Sequence, residues 1–295
     1  MTWFSDYNRC LGLVAPVERA GVGLHSGDTC RVQLRPAQSP GFFVGFLDAP
    51  DSPVIPLQPG QVRDTRLCTA LEVGGRPLAT VEHLLAALLG CGLTQAEIWV
   101  DGQEVPLLDG SALPWVEAIA EAGLVDLGPR QLLQSITEPI SLQQGDSFVV
   151  ALPSDRPFLS AAIEFPQPAI GRQLFSLVLT PETFVREIAP ARTFGFREQV
   201  EQLRSAGLIQ GGALDNALVC DGDQWLNPPL RFADEPVRHK ILDLIGDLAL
   251  VGLPCAQVMA FRGSHSLHTQ LAAALAAAPS CLTALSGGQE LTNVA

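Results

Sequence analysis

The run Arg238-His-Lys-Ile-Leu-Asp-Leu-Ile-Gly-Asp247 gathers His239, Lys240, Asp243 and Asp247 into one short stretch. Lys240 is the only lysine of the chain, and the other histidines are His25, His83, His265 and His268. A chain this sparing with both residue types, yet concentrating them beside aspartates, keeps them for chemistry, and a metal-dependent enzyme is the first hypothesis. On a helix His239, Asp243 and Asp247 fall at i, i+4 and i+8 and form one polar stripe. A histidine and an aspartate four residues apart can present two ligands to one ion. Ile241, Leu242, Leu244, Ile245 and Leu248 occupy the other faces, which buries the helix and makes the stripe costly unless it is satisfied. The competing reading is a His–Asp pair on a solvated face. It is the commoner one for an arbitrary spacing, and Lys240 and the apolar neighbours bring the two level.

Three further elements carry weaker signals. Glu82 and His83 stand just inside a helix that Thr80 would cap. Adjacent helical residues point roughly 100° apart, so one could ligate a metal while the other faces a bound water. The helix N-terminus favours an ionised carboxylate there, as a general base requires. A surface capping glutamate is the more common explanation of such a pair. His265 falls in a strand-to-helix turn, where catalytic groups often sit; His268, on the first helical turn, reads as a satisfied structural histidine. Thr193 precedes Phe194 in A-R-T-F-G-F, which alone is no more than a strand end.

Bulk properties exclude some classes. With 295 residues, 47% apolar and 17% charged, the chain is long enough for two globular domains. A net charge of −13 and the lack of a basic stripe argue against nucleic acid as a partner. An anionic ligand would therefore need a local positive site, with Lys240 as its natural centre. The 7 cysteines are scattered, odd in number and without C-x-x-C, which fits a reducing compartment, and the cytoplasm is expected. No apolar run reaches ~18 residues, so no transmembrane segment is expected; nor does the N-terminus read as a signal peptide.

Turn residues and periodicity mix strands with helices in both halves, giving α+β architecture. Strands are expected at T-C-R-V-Q-L-R-P, F-F-V-G-F-L-D, E-I-W-V-D-G, D-S-F-V-V-A-L-P, L-S-A-A-I-E-F-P, A-L-V-C-D-G and C-A-Q-V-M-A-F. Helices are expected from Glu82 to near Gly90, at W-V-E-A-I-A-E-A closed by Gly123, at F-R-E-Q-V-E-Q-L-R-S, from near Glu235, and after His268. The boundary falls at Gly128 and Pro129, dividing the chain into 1–128 and 129–295. No sequence repeat is visible.

Together T-V-E-H-L, L-L-D-G-S-A, A-R-T-F-G-F, R-H-K-I-L-D-L-I-G-D-L and the late histidine motif, with G-V-G-L-H-S-G and V-R-D-T-R-L-C-T, occur in one order. In that order they closely resemble the UDP-3-O-acyl-N-acetylglucosamine deacetylases of lipid A synthesis. The likeness runs from about Gly21 to about Leu275. It implies two domains of similar topology, each a sheet layered on helices, with the site between them. It implies hydrolysis of the N-acetyl group of an acylated UDP-sugar to acetate and a free amine. His83, His239 and Asp243 would hold one catalytic zinc, three protein ligands plus water being the open arrangement; ferrous iron is the alternative that the ligand set leaves open. Glu82 would act as base, His265 supported by Asp247 as acid, and Thr193 as oxyanion donor.

By the same resemblance Lys240 and Arg262 would meet the phosphates and Phe194 the sugar. Val200, Ile209, Leu214 and Val219 would line an acyl slot in a βαβ insert near 194–220; from the sequence alone these four read as ordinary core. Ser264 stands where glycine is usual, which would narrow the conformations of the His265 loop, and His268 stands where asparagine is common. Cys68 and His25 are given no catalytic role. A hydrolase of another acylated substrate and a non-catalytic protein with a structural metal are the alternatives. Against the latter stand Glu82, Thr193 and His265, none of which a structural site needs. The sequence leaves the oligomeric state open.

Overall fold

The computed structural model describes residues 3–130, 134–278 and 282–284. Cys281 and the outer ends of both expected domain ranges lie outside the described residues. Among the described residues the α-helices are α1 (Glu82–Gly90), α2 (Leu113–Ala122), the single turn α3 (Pro181–Thr183), α4 (Arg197–Ser205), α5 (Glu235–Leu248) and α6 (His265–Ala277).

Two five-stranded sheets share one topology. In the first, Val17–Val22, Thr29–Arg35, Gln95–Asp101, Gly41–Phe46 and Ile55–Pro56 lie side by side. In the second the order is Ile140–Gln144, Ser147–Pro153, Ala256–Phe261, Phe158–Glu164 and Arg172–Val178. Each central strand comes last in sequence and runs parallel to the third strand and antiparallel to the second. Parallel neighbours need a crossover. The first crossover contains α1 and the second contains α5. Period-2 alternation gives each sheet one apolar face: Cys30, Val32 and Leu34 point inward in the first, Leu159, Ala161 and Ile163 in the second.

Helix α2 packs on the first sheet and α5 and α6 on the second, and α1 lies between α2 and α5, packing directly on both. Every residue of α1 is buried, as an all-round apolar helix must be. The close approach depends on Gly246, where an added Cβ would lie 2.1 Å from the Glu82 carbonyl oxygen. A separate three-stranded sheet, Phe194–Phe196, Leu218–Asp221 and Gln224–Trp225, carries α4 between its first two strands, which pair in parallel. Gly128 and Pro129 end a strand, Leu124–Pro129, that pairs with Arg9–Leu13.

Two local expectations are corrected. Thr80 does not cap α1: Val81 holds the cap position with helical backbone angles and no side-chain cap. The Thr80 hydroxyl instead donates to Glu104 at 2.9 Å. The last helix begins at His265 rather than beyond His268. Its cap is Ser264, in extended geometry, whose hydroxyl accepts from the Leu267 N–H.

Gly246→Ala tests the helix contact. Helix propensity alone would stabilise the alanine by about 1 kcal/mol, whereas overpacking costs typically about 1–3 kcal/mol. A net fall in the urea unfolding midpoint at unchanged m-value is expected; a rise would mean that α1 and α5 have room to part.

Candidate active site

Residues from both halves meet where α1 crosses α5. The first turn of α1 supplies Glu82 and His83, and the i, i+4, i+8 stripe of α5 supplies His239, Asp243 and Asp247, all buried. Nε2 of His83 lies 3.8 Å, and Nε2 of His239 3.3 Å, from Asp243 Oδ1. One donor atom from each of the three residues falls within 4.8 Å of the others. Burial pushes His83 down to about 3, the charge of His239 adding to the effect, and burial lowers His239 too. Both rings are therefore neutral at pH 7 and offer lone pairs. Nδ1 of His239 donates to the Ala191 carbonyl at 3.0 Å, which turns Nε2 towards Asp243 as a free acceptor.

Asp243 is the charged member. Burial would raise its carboxyl, but Lys240 Nζ at 2.9 Å, followed by His239, outweighs burial and holds it well below the usual carboxylate range. Lys240 thus has a partner inside the cluster, and its ammonium also stands 5.7 Å from the Phe194 ring centre. Two neutral imidazoles and an ionised carboxylate with converging donor atoms suit a divalent cation of intermediate softness.

Glu82 and His265 face each other beside this cluster, 3.8 Å apart. Burial pushes the Glu82 carboxyl up to about 7, His265 opposing and the charges of Asp247 and Asp243 adding. The helix N-terminus, expected to favour the ionised form, is outweighed by desolvation. Burial would lower His265, yet Asp247, at 2.9 Å from its Nδ1, carries it up to about 9. A carboxyl poised near neutrality opposite an imidazolium is a matched base and acid.

Asp247 is over-determined. It accepts from the Thr69 hydroxyl, from His265 and from Nδ1 of His268 at 3.1 Å; His268 is buried and engaged through Nδ1, while its Nε2 has no hydrogen-bond partner among the described residues. Thr69 escaped the sequence reading. It is fully buried, and its backbone N–H also donates to Glu82 Oε2 at 3.0 Å. The signal that pointed to it was the motif V-R-D-T-R-L-C-T, which ends on it. Neighbouring Cys68 is pushed up to about 12 by burial first and by Glu82 second, an inert thiol.

Thr193 is set by a lattice spanning both halves. Its N–H donates to the Gly110 carbonyl, and its own carbonyl accepts from Leu218, each at 2.8 Å. Gly110 has φ +82 and leaves no room for a Cβ, which would lie 2.1 Å from the Asn216 carbonyl oxygen. Arg231 reaches Asp109 at 2.8 Å and gives its N–H to Glu235, which also holds the Arg192 N–H and guanidinium. Glu235, buried at the start of α5, is a second residue the sequence did not single out. The Thr193 hydroxyl has no protein partner among the described residues.

A cavity of about 840 Å³ opens from Thr193 and Phe194 into the three-stranded sheet and α4, lined by Val200, Ile209, Leu214 and Val219. The four positions read as plain core by periodicity are thus cavity wall. Leu24 and Leu67 join them from the first half, unanticipated because only the tertiary fold brings them there. Arg262 stands apart from the cluster: its guanidinium is held by Glu164 at 2.6 Å and lies 3.9 Å from Asp146.

Fold and site define the class first: an α+β hydrolase whose Glu82–His265 pair and donor cluster are buried where two layered halves meet. The chain belongs to the UDP-3-O-acyl N-acetylglycosamine deacetylase family, whose model matches residues 12–277. Relatives bear this out. A UDP-3-O-acyl-N-acetylglucosamine deacetylase of Trichormus variabilis is 52% identical over 267 residues, covering 88% of this chain and 95% of that protein. One from a Geobacter species is 40% identical, covering 90% and 88%. A probable mitochondrial one of Arabidopsis thaliana is 41% identical, covering 88% and 86%.

The Asp247–His265 pair gives a direct measurement. In the wild type, histidine NMR should show the His265 ring titrating near pH 9. In Asp247→Asn the largest charge opposing burial is lost and only Asp243 and Glu82 still raise the ring, so it should titrate well below the wild type. A ring that still titrates well above neutrality in the variant would assign the shift to other charges.

Proposed function

We propose that the protein removes the N-acetyl group of UDP-3-O-(3-hydroxyacyl)-N-acetylglucosamine, releasing acetate and the free amine as an early step of lipid A synthesis. The observation that carries this reading is the opposition of Glu82 and His265 across a buried donor cluster, with an apolar cavity alongside. His83, His239 and Asp243 would hold one zinc ion, and the converging neutral imidazoles and ionised carboxylate fit it; ferrous iron fits the same set. When bound, the ion supplies Lewis acidity, polarising the amide carbonyl and making a water more acidic.

The chain's own groups do the rest. Glu82, poised near neutrality and fixed by the Thr69 N–H, takes the proton of the attacking water. The Thr193 hydroxyl, without a partner among the described residues, donates to the oxyanion as charge develops. His265, kept protonated by Asp247, gives its proton to the departing amine nitrogen. Lys240 meets the diphosphate, and Phe194 packs on the sugar. The acyl chain enters the cavity along Val200, Ile209, Leu214 and Val219, exchanging water for apolar contact at about 25 cal/mol per Å². Among the described residues no helix is long and apolar enough to cross a membrane. Scattered thiols favour the cytoplasm as the working compartment.

The test is free-amine formation from that substrate by chelator-stripped protein and by the same protein after zinc is restored. Activity should vanish and return. Glu82→Gln should keep its zinc and lose about 10²–10⁴-fold in kcat, the range of general-base catalysis. Turnover indifferent to chelation, or undiminished in Glu82→Gln, would overturn the mechanism, and no turnover by folded, zinc-loaded wild type would overturn the substrate.

A further inference from the structure

Glu104 is a buried carboxylate that no step above uses, and among the described residues no arginine or lysine pairs with it. Its charge is met by hydrogen bonds alone. Oε1 accepts from the His25 N–H and the Thr80 hydroxyl, each at 2.9 Å. Oε2 accepts from the Ser26 N–H at 2.9 Å and the Ser26 hydroxyl at 2.7 Å. These donors outweigh burial and hold the carboxyl below its ordinary range. Space is reserved for it as well: a Cβ on Gly23 would lie 2.3 Å from Oε2.

The consequence lies in Thr80. Its φ is +59, a left-handed conformation that a β-branched residue adopts only when its surroundings impose it. The surroundings are Glu104 and its neighbours. Ala79 bridges Glu104 in parallel, giving its N–H to Gln103 and its carbonyl to Val105, while the Glu104 carboxylate ties down the next side chain. After that turn come Val81, Glu82 and His83. The left-handed residue therefore sets the direction in which α1 starts, and with it the aim of the base and of one donor imidazole.

We infer that Glu104 is a positioning residue, which holds Thr80 in its left-handed conformation and so directs Glu82 and His83 into the site. This rests on the reading of Glu82 as the base. A glutamine at 104 turns one acceptor into an NH₂ facing donors and releases the tether. Glycine at 80 needs no tether, because it adopts positive φ freely.

The experiment compares Glu104→Gln, Thr80→Ala, Thr80→Gly and the double variant Glu104→Gln/Thr80→Gly with the wild type, as full-length, zinc-loaded protein. Steady-state deacetylation is one readout, and the amide resonances of Val81, Glu82 and His83 are the other. Glu104→Gln and Thr80→Ala should each lower kcat about 10–100-fold, the loss expected when a catalytic group is misplaced by about 1 Å, with KM changed far less. They should also shift those resonances. Thr80→Gly should stay near wild type, and the double variant should return to the Thr80→Gly values in both readouts. A double variant no better than Glu104→Gln, or Thr80→Gly as impaired as Thr80→Ala, would overturn the inference. If Glu104→Gln does not fold, the alanine–glycine comparison decides alone. The resonances decide it even if the wild type shows no turnover, an outcome that would sink the functional reading instead.

Discussion

Taking the Asp243 and Asp247 carboxylates out of water into the contact between α1 and α5 would cost several kcal/mol per ion if nothing answered them. Most of the surrounding arrangement answers them. Lys240 meets Asp243 from one helical turn earlier, and the imidazoles of His83 and His239 converge on its other oxygen. Asp247 is met by Thr69 from the first half and by two histidines of α6. Asp243 is met by Lys240 and His239 of its own helix and by His83 of α1, and Asp247 draws its partners from outside α5 altogether, so both charges are fully answered only when both halves are assembled. The same charges hold His265 protonated and help keep Glu82 from ionising early.

The duplicated topology explains why the site lies where it does. In each half the central strand enters last, and the crossover helix leading to it is the one that faces the other half. Two crossover helices in contact bring the first turn of one against the middle of the other. The approach is close enough that Gly246 must lack a side chain where it meets the Glu82 backbone. Position in the fold, more than any local motif, thus sets a helix-start Glu-His pair against His265 on one side and the His239–Asp243 cluster on the other.

Strain and buried charge are used together at the entrance to α1. A threonine in the left-handed region is unfavourable alone, and a buried carboxylate without a cation is unfavourable alone. Paired through the Thr80–Glu104 hydrogen bond, each satisfies what the other lacks.

The sequence by itself determined a good deal. Periodicity and turn residues placed the main strands and helices, because alternation and capping are local properties. The stripe His239, Asp243, Asp247 was legible as one face of a helix, since spacing fixes the face, but whether that face was buried or solvated was left level. Other features belong to no local stretch. Thr69 and Glu235 look like ordinary polar residues until the fold sets them beside Glu82 and Arg192. Val200, Ile209, Leu214 and Val219 have the pattern of core, and only the placing of α4 over its small sheet leaves them facing space. Thr80 has the composition of a cap but not the geometry, because a buried acceptor twenty-four residues on outbids the helix for its hydroxyl. The Glu82 carboxyl was expected to ionise readily at a helix start. Tertiary burial decided otherwise, because the field of one helix end is worth less than the loss of water around a charge.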